Sequence, residues 1–233
     1  MLFRSYMTAM TARIIENNGT LDKYIGDAQM AFWNAPLDDK DHAKNAVRTG
    51  LAMLKDLDKF NEEIAKEGVP AFGMGLGINT DTVVVGNMGS SQRFDYTCLG
   101  DGVNLASRLE GQSKPYGVRI VLGPKTAEQV KSEFKLLELD LIAVKGKKDP
   151  VKIYTVAPSD EPKSSALHEK FLNAYRNGNW KDAKFYVNGY QGKVVGLKDC
   201  WGGEMAKYYE AMVERMEGDP PKNWDGVFRA TSK

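Results

Sequence analysis

Arg93-Phe-Asp-Tyr-Thr-Cys-Leu-Gly-Asp-Gly-Val-Asn-Leu-Ala-Ser-Arg108 decides the fold class. Residues 94–99 are rich in aromatic and β-favouring side chains and read as a strand. A glycine-bearing turn follows, and 103–112 carries helical periodicity. Working outward, the apolar runs 72–79 and 82–88 precede this unit as predicted strands. After it come strands at 118–122, 134–144 and 151–156, with a short helix over 124–131. Upstream, Ala43, Val47, Leu51, Leu54, Leu57 and Ile64 form one stripe of a predicted helix over 41–67, which Asp39 or Asp41 can cap. Residues 21–26 and 28–33 read as a hairpin with Gly26-Asp27 at its turn. Before them, Tyr6, Met10 and Ile14 recur at helical spacing, and Gly19 is a natural stop. Helices alternating with hairpins predict an α+β sandwich with a mostly antiparallel sheet.

The polar stretch Pro158-Ser-Asp-Glu-Pro-Lys-Ser-Ser165 divides this region from a helical tail. We therefore expect two parts, 1–157 and 158–233, the second a linker and a small helical extension that can be removed without unfolding the first. The phrase Ala174-Tyr-Arg-Asn-Gly-Asn-Trp-Lys-Asp-Ala183 is similar to the inter-helix turn of one tetratricopeptide unit, but no period of about 34 residues repeats. Composition narrows the partners. With 32 basic and 31 acidic residues in 233, the chain is no polycation, so nucleic acid is not expected as a partner. Two cysteines, Cys98 and Cys200, are too few for a disulfide framework and fit a reducing compartment. No apolar run approaches a membrane span and no signal peptide opens the chain, so a cytoplasmic location without direct membrane contact is expected.

Several residues are candidates for chemistry. Asp27, at a hairpin turn, is an ordinary turn residue or a metal carboxylate, since Mg²⁺ takes few carboxylates and completes its shell with phosphate oxygens. Lys23 lies four residues earlier and shares a sheet face with Asp27 if the strand is regular. Asn104 and Arg108 share a helix face, where Arg108 can grip a phosphate in bidentate fashion. The basic loop Lys145-Gly-Lys-Lys148 is a solvated turn or a polyphosphate grip. Gly73-Met-Gly-Leu-Gly77 sits within a β-like run, not in the strand-turn-helix setting that a dinucleotide fingerprint needs, and is rejected. His42 and His168 lack ligand spacing, so no zinc site is expected.

Together the motifs resemble a family. Leu21-Asp-Lys-Tyr-Ile-Gly-Asp-Ala-Gln-Met-Ala-Phe-Trp33 is similar to the second metal-binding segment of class III adenylate/guanylate cyclases. Val85-Gly-Asn-Met-Gly89 and 93–109 resemble that family's signature region, and Val144-Lys-Gly-Lys147 and Pro150-Val-Lys-Ile-Tyr154 its closing strands. The resemblance implies a ferredoxin-like cyclase catalytic sandwich that converts ATP or GTP to a 3′,5′-cyclic nucleotide and pyrophosphate. It implies Asp27 as one of two carboxylates for a Mg²⁺ or Mn²⁺ pair, Asn104 as ribose-orienting and Arg108 as stabilising charge on the phosphate. Lys145 would hold the terminal phosphates, with Lys147 a close competitor. Lys23 and Thr97 would read the base. A lysine donor suits adenine N1, an acceptor, and mismatches guanine N1–H, so the reading is an adenylate cyclase acting on ATP. A head-to-tail homodimer with shared sites is implied too. The alternatives are a guanylate cyclase and a catalytically silent, cyclase-like dimerisation module. An RNA-binding sandwich is disfavoured by charge and by the lack of an RNA-reading motif.

Two departures follow from the same resemblance. The family's first strand, with its metal aspartate in a Phe-x-Asp-Ile-like context, has no counterpart here, and the sequence opens in the helix that follows it. The chain is therefore expected to be N-terminally truncated and to make negligible cyclic AMP. Asp81 stands where the family has glycine in an Asn-Thr-Gly turn, a cost of about 1 kcal/mol if that turn needs positive φ.

Overall fold

In chain order the fold begins with α1 (Leu2–Glu16), the hairpin β1 (Thr20–Ile25) and β2 (Ala28–Phe32), and the long helix α2 (His42–Ala65). The short β3 (Leu76–Ile78) leads to a second hairpin, β4 (Val84–Gly89) and β5 (Phe94–Leu99), and then α3 (Asp101–Gln112). Next come β6 (Ile120–Leu122), α4 (Pro124–Val130), β7 (Leu136–Ala143) and β8 (Val151–Val156). The tail supplies α5 (Pro162–Arg176), α6 (Trp180–Asn188), a 3₁₀ turn (Leu197–Gly203), α7 (Ala206–Arg215) and β9 (Phe228–Arg229). This computed structural model describes residues 2–143, 149–159, 161–189, 195–203 and 205–229.

The main sheet has the order β3-β6-β8-β7-β9, and the two hairpins stand as separate two-stranded ribbons. The expected α+β class holds, but the main sheet is evenly mixed. Its β3/β6 and β7/β9 pairs are parallel, while β6/β8 and β7/β8 are antiparallel. Only the ribbons follow the antiparallel expectation throughout. Alternation along the strands sends side chains to two cores. Ile120, Leu122, Leu136 and Tyr154 pack under α2 and α4. Val121, Leu137, Leu139 and Ile153 pack under α3 and the tail.

That second core joins what the sequence divides. Phe171, Tyr175, Tyr208 and Tyr209 of the tail are fully buried in the cluster that holds Leu105, Leu109 and Val121. A bulge in β7 explains the fit. Glu138 pairs with Tyr154 and Asp140 with Ile153, leaving Leu139 as an extra residue. A bulge interrupts the ladder, so its backbone groups need other partners. The tail provides them: Tyr208 donates to the Leu139 carbonyl at 2.7 Å, and His168 Nε2 lies 2.7 Å from the Glu138 carbonyl. Asp140, with no exposed surface, accepts from Tyr116 at 2.6 Å and from Arg215 at 2.8 Å. The Arg215 guanidinium lies between the Tyr116 and Phe228 rings, 4.4 and 3.6 Å from their centroids. The tail thus shares a core with the main sheet, and the expected linker is shorter than read, because Pro162 already opens α5.

Smaller expectations also change. Asp41 occupies the N-cap of α2 but makes no cap hydrogen bond through its side chain; Asp39 accepts the Asp41 N–H at 2.9 Å and the Asn45 amide at 2.8 Å. The left-handed residue after α1 is Asn18, with φ 61°, rather than Gly19. Asp81 is not among the positive-φ residues, so its anticipated strain does not arise. It packs against Gly102 and pairs with Lys125.

Candidate functional site

The two ribbons and α3 carry the candidate residues. At the first ribbon's tip Ile25 pairs with Ala28 across Gly26-Asp27, and Gly26 has φ +63° while Asp27 stays at negative φ. That is the pattern of a type II′ turn, which wants glycine first. Asp27 is therefore exposed at a tip, and the strand parity used to align it with Lys23 does not extend into the turn. Its neighbour is Tyr6 of α1, whose hydroxyl is pushed above its usual range by burial and then by the Asp27 charge.

Lys23 and Thr97 come together through a third residue. In the first ribbon Leu21 pairs with Ala31 and Lys23 with Met30, so Asp22 is an extra, bulged residue. Regular alternation would turn neighbouring side chains to opposite faces; a bulge re-aims them. Lys23 Nζ lies 3.2 Å from Asp22 Oδ1. That oxygen has no hydrogen-bond partner among the described residues, so the pair is a charge contact off the hydrogen-bonding angle. Thr97, in β5 and nearly buried, donates its hydroxyl to Asp22 Oδ2. The Asp22 side chain has no exposed surface, whereas that of Lys23 is 40% exposed. Beside them Phe32 and Tyr96 hold the ribbons together with ring centroids 5.9 Å apart. Cys98 is pushed up by burial first and by the Asp22 charge second, which leaves it an inert thiol.

Asn104, exposed, and Arg108, half-buried, share a face of α3 about 100° round the helix from the buried Leu105 and Leu109. Close packing fixes this helix. A Cβ on Gly77 would stand 2.2 Å from the Ala106 carbonyl oxygen and 2.2 Å from the Glu110 nitrogen, so only glycine lets β3 and α3 approach so nearly. Of the glycines in the rejected fingerprint, Gly75 and Gly77 therefore serve packing, whereas a Cβ on Gly73 would meet open space. Asn79 secures the helix start by donating to the Gly102 carbonyl at 3.0 Å. Arg108 Nη1 is buried without a hydrogen-bond partner among the described residues. A buried guanidinium N–H left unpaired is costly and is satisfied by an anionic acceptor such as a phosphate oxygen. No hydrogen bond or ion pair among the described residues joins Arg108 or Asn104 to Asp27 or Lys23. Lys145 and Lys147 lie outside the described residues.

No group of three or more His, Cys, Asp or Glu side chains is gathered for a metal ion among the described residues. One exposed carboxylate does not match the six oxygen ligands that Mg²⁺ takes, so Asp27 does not by itself make a resident cation site. No helix among the described residues is long and apolar enough to cross a membrane.

Residues 5–158 match the family model of the adenylate and guanylate cyclase catalytic domain. The chain belongs to this family. "Adenylate cyclase 1" of Rhizobium meliloti is 36% identical over 155 residues, which cover 66% of this chain and 23% of that protein. The crystal structure of the adenylyl cyclase CyaB from P. aeruginosa superposes with a TM-score of 0.63 at 34% identity, covering 69% of this chain and 82% of that one. The guanylyl cyclase Cya2 follows at a TM-score of 0.60 and 33% identity, covering 69% and 81%. The chain spans less than a third of the length of the curated relatives it matches. Cyclase domains of this family generally use Mg²⁺ or Mn²⁺. Within the cyclase domain the sequence reading missed Asp22. It stands beside Lys23 in the quoted motif, but only the bulge makes the two share a face, and no local signal announces the bulge.

Proposed function

We propose that this domain binds ATP and belongs to an adenylate cyclase, in which the ribose 3′-oxygen attacks the α-phosphorus and pyrophosphate leaves. The observation that carries this reading is the meeting of Lys23 and Thr97 across two ribbons that the sequence separates. Lys23 donates to adenine N1 and Thr97 accepts from the N6 amino group. Guanine presents N1–H and O6 at those positions, the reverse pattern. The unpaired Arg108 Nη1 supports a role on the phosphates, where it balances charge as the phosphorus gains its fifth oxygen. Asn104, one turn earlier on the same face, orients the ribose hydroxyl. Lys145, with Lys147 beside it, is assigned to the terminal phosphates.

Asp27 would be a protein carboxylate for a Mg²⁺ or Mn²⁺ ion that the nucleotide's phosphates also ligate. A head-to-tail homodimer with two shared sites fits the apolar side chains left open on the ribbons. Ile25, Val84, Phe94 and Leu99 are each more than half exposed. Those exposed apolar side chains also fit, as second reading, a catalytically silent module that binds nucleotide and dimerises. Calorimetric titration with Mg²⁺–ATP and Mg²⁺–GTP, together with cyclic AMP assays, tests both. ATP should bind at least roughly tenfold more tightly than GTP. Equal affinities, or no ATP binding at millimolar concentration, would refute the adenylate reading. ATP binding with no cyclic AMP at all would favour the silent module.

A further inference from the structure

We infer that Asp22 is a positioning residue that fixes the polarity of the base-reading hydroxyl and so makes the site select an adenine nucleotide over a guanine nucleotide. The inference rests on the proposed ATP site and deepens it. A threonine hydroxyl is ambivalent: it has one proton to donate and lone pairs that accept. Left to itself, Thr97 could accept from the adenine amino group or donate to guanine O6, and would discriminate little. The structure removes that freedom. The single Thr97 proton is committed to Asp22 Oδ2, an ionised carboxylate oxygen that can only accept. What Thr97 then presents to a ligand is lone pairs alone. The same carboxylate draws Lys23 Nζ to 3.2 Å, holding a donor beside that acceptor.

The bulge is what makes this possible. With Asp22 unpaired between Leu21 and Lys23, its side chain turns inward to a position with no exposed surface. A buried charge is tolerated only when it is paired and hydrogen-bonded; Lys23 supplies the opposite charge and Thr97 a hydrogen bond to Oδ2. The effect of Asp22 passes through Thr97 and Lys23, its two side-chain contacts here.

Two triphosphates of nearly equal size provide a test on the unaltered protein. N6-methyl-ATP and 6-methoxypurine riboside triphosphate both keep N1 as an acceptor for Lys23. They differ in presenting N–H or oxygen to Thr97. An acceptor-only hydroxyl should bind the N6-methyl compound roughly ten- to a hundredfold more tightly, as expected where a buried polar group is left facing its like. Equal affinities would overturn the proposal. In Asp22→Asn the amide N–H can donate to Thr97 and release its proton. That discrimination and the ATP/GTP ratio should then both shrink at least roughly tenfold, while the substitution has no further effect in a Thr97→Val background. If the unaltered protein prefers ATP and Lys23→Glu reverses the preference, but Asp22→Asn leaves both ratios unchanged, the Asp22 role fails alone. If the unaltered protein shows no preference for ATP, the adenylate reading fails and the Asp22 role with it.

Discussion

His168 shows how much one side chain can tell about where the tail belongs. As a solitary histidine it offers no ligand spacing in the sequence, and it is in fact buried as a neutral bridge. Its Nε2 donates to the Glu138 carbonyl of β7, which leaves Nδ1 to accept from the Tyr209 hydroxyl at 2.9 Å. Burial holds its pKa down at about 4, against 6.5 for a free histidine. The unfolded chain therefore binds a proton near pH 6.5 that the folded chain refuses until about pH 4. Stability from this group is complete above the unfolded value and is lost as pH falls through that window. Between pH 7.5 and 5 the loss should be about 2 kcal/mol, read as a lower urea midpoint, and His168→Gln should flatten that part of the profile. A midpoint independent of pH over this range would show that His168 is not buried neutral. The candidate residues on one element, Asn104 with Arg108 and Gly26 with Asp27, were legible because helix period and turn chemistry are local. The union of Lys23 with Thr97 was not, because it depends on a bulge and on two ribbons meeting.

At the scale of elements, long periodic segments were the readable ones. The stripe on α2 and the run of β7 appear where the sequence puts them, since each has an amphipathic pattern that only one secondary structure buries. Strand β3 is much shorter than the apolar run 72–79 suggests. Asn61 of α2 instead holds both backbone groups of one residue, donating to the Phe72 carbonyl at 3.0 Å and accepting its N–H at 2.8 Å. Strand β9 has two residues and exists only by pairing with Ile142 and Ala143, so no pattern could announce it. The contact between β3 and α3 yields a prediction. Gly77→Ala forces a methyl into backbone at 2.2 Å, so the helix must lift. The cost should be about 3 kcal/mol in chemical denaturation, with nucleotide affinity falling because Arg108 moves with α3. A variant as stable as the parent would mean that the two elements slide past one another freely.

The whole molecule is one packed object across the boundary drawn at residue 158. The sequence correctly marks a polar stretch there and helices beyond it, yet it cannot say what those helices cover. Their aromatic residues form a lid on the main sheet. Ending the chain at residue 157 should strip Tyr208, Tyr209, Phe171 and Arg215 from β7. That leaves Leu139 and Ile142 open and Asp140 buried or half-buried without its cation. We expect an aggregating or molten product, measured by gel filtration and near-ultraviolet circular dichroism. A monodisperse, cooperatively folded 1–157 would show that the shared core is dispensable. The pairing of β9 with β7 carries a consequence for biosynthesis. The ribosome delivers β7 long before Phe228, which closes over Arg215 and flanks Ile142. During that interval the nascent sheet has an open edge and an uncovered aromatic seat, the very surfaces that chaperones engage. This cyclase domain should thus close only once the tail has been made, as one event, rather than folding from its N-terminal half beforehand.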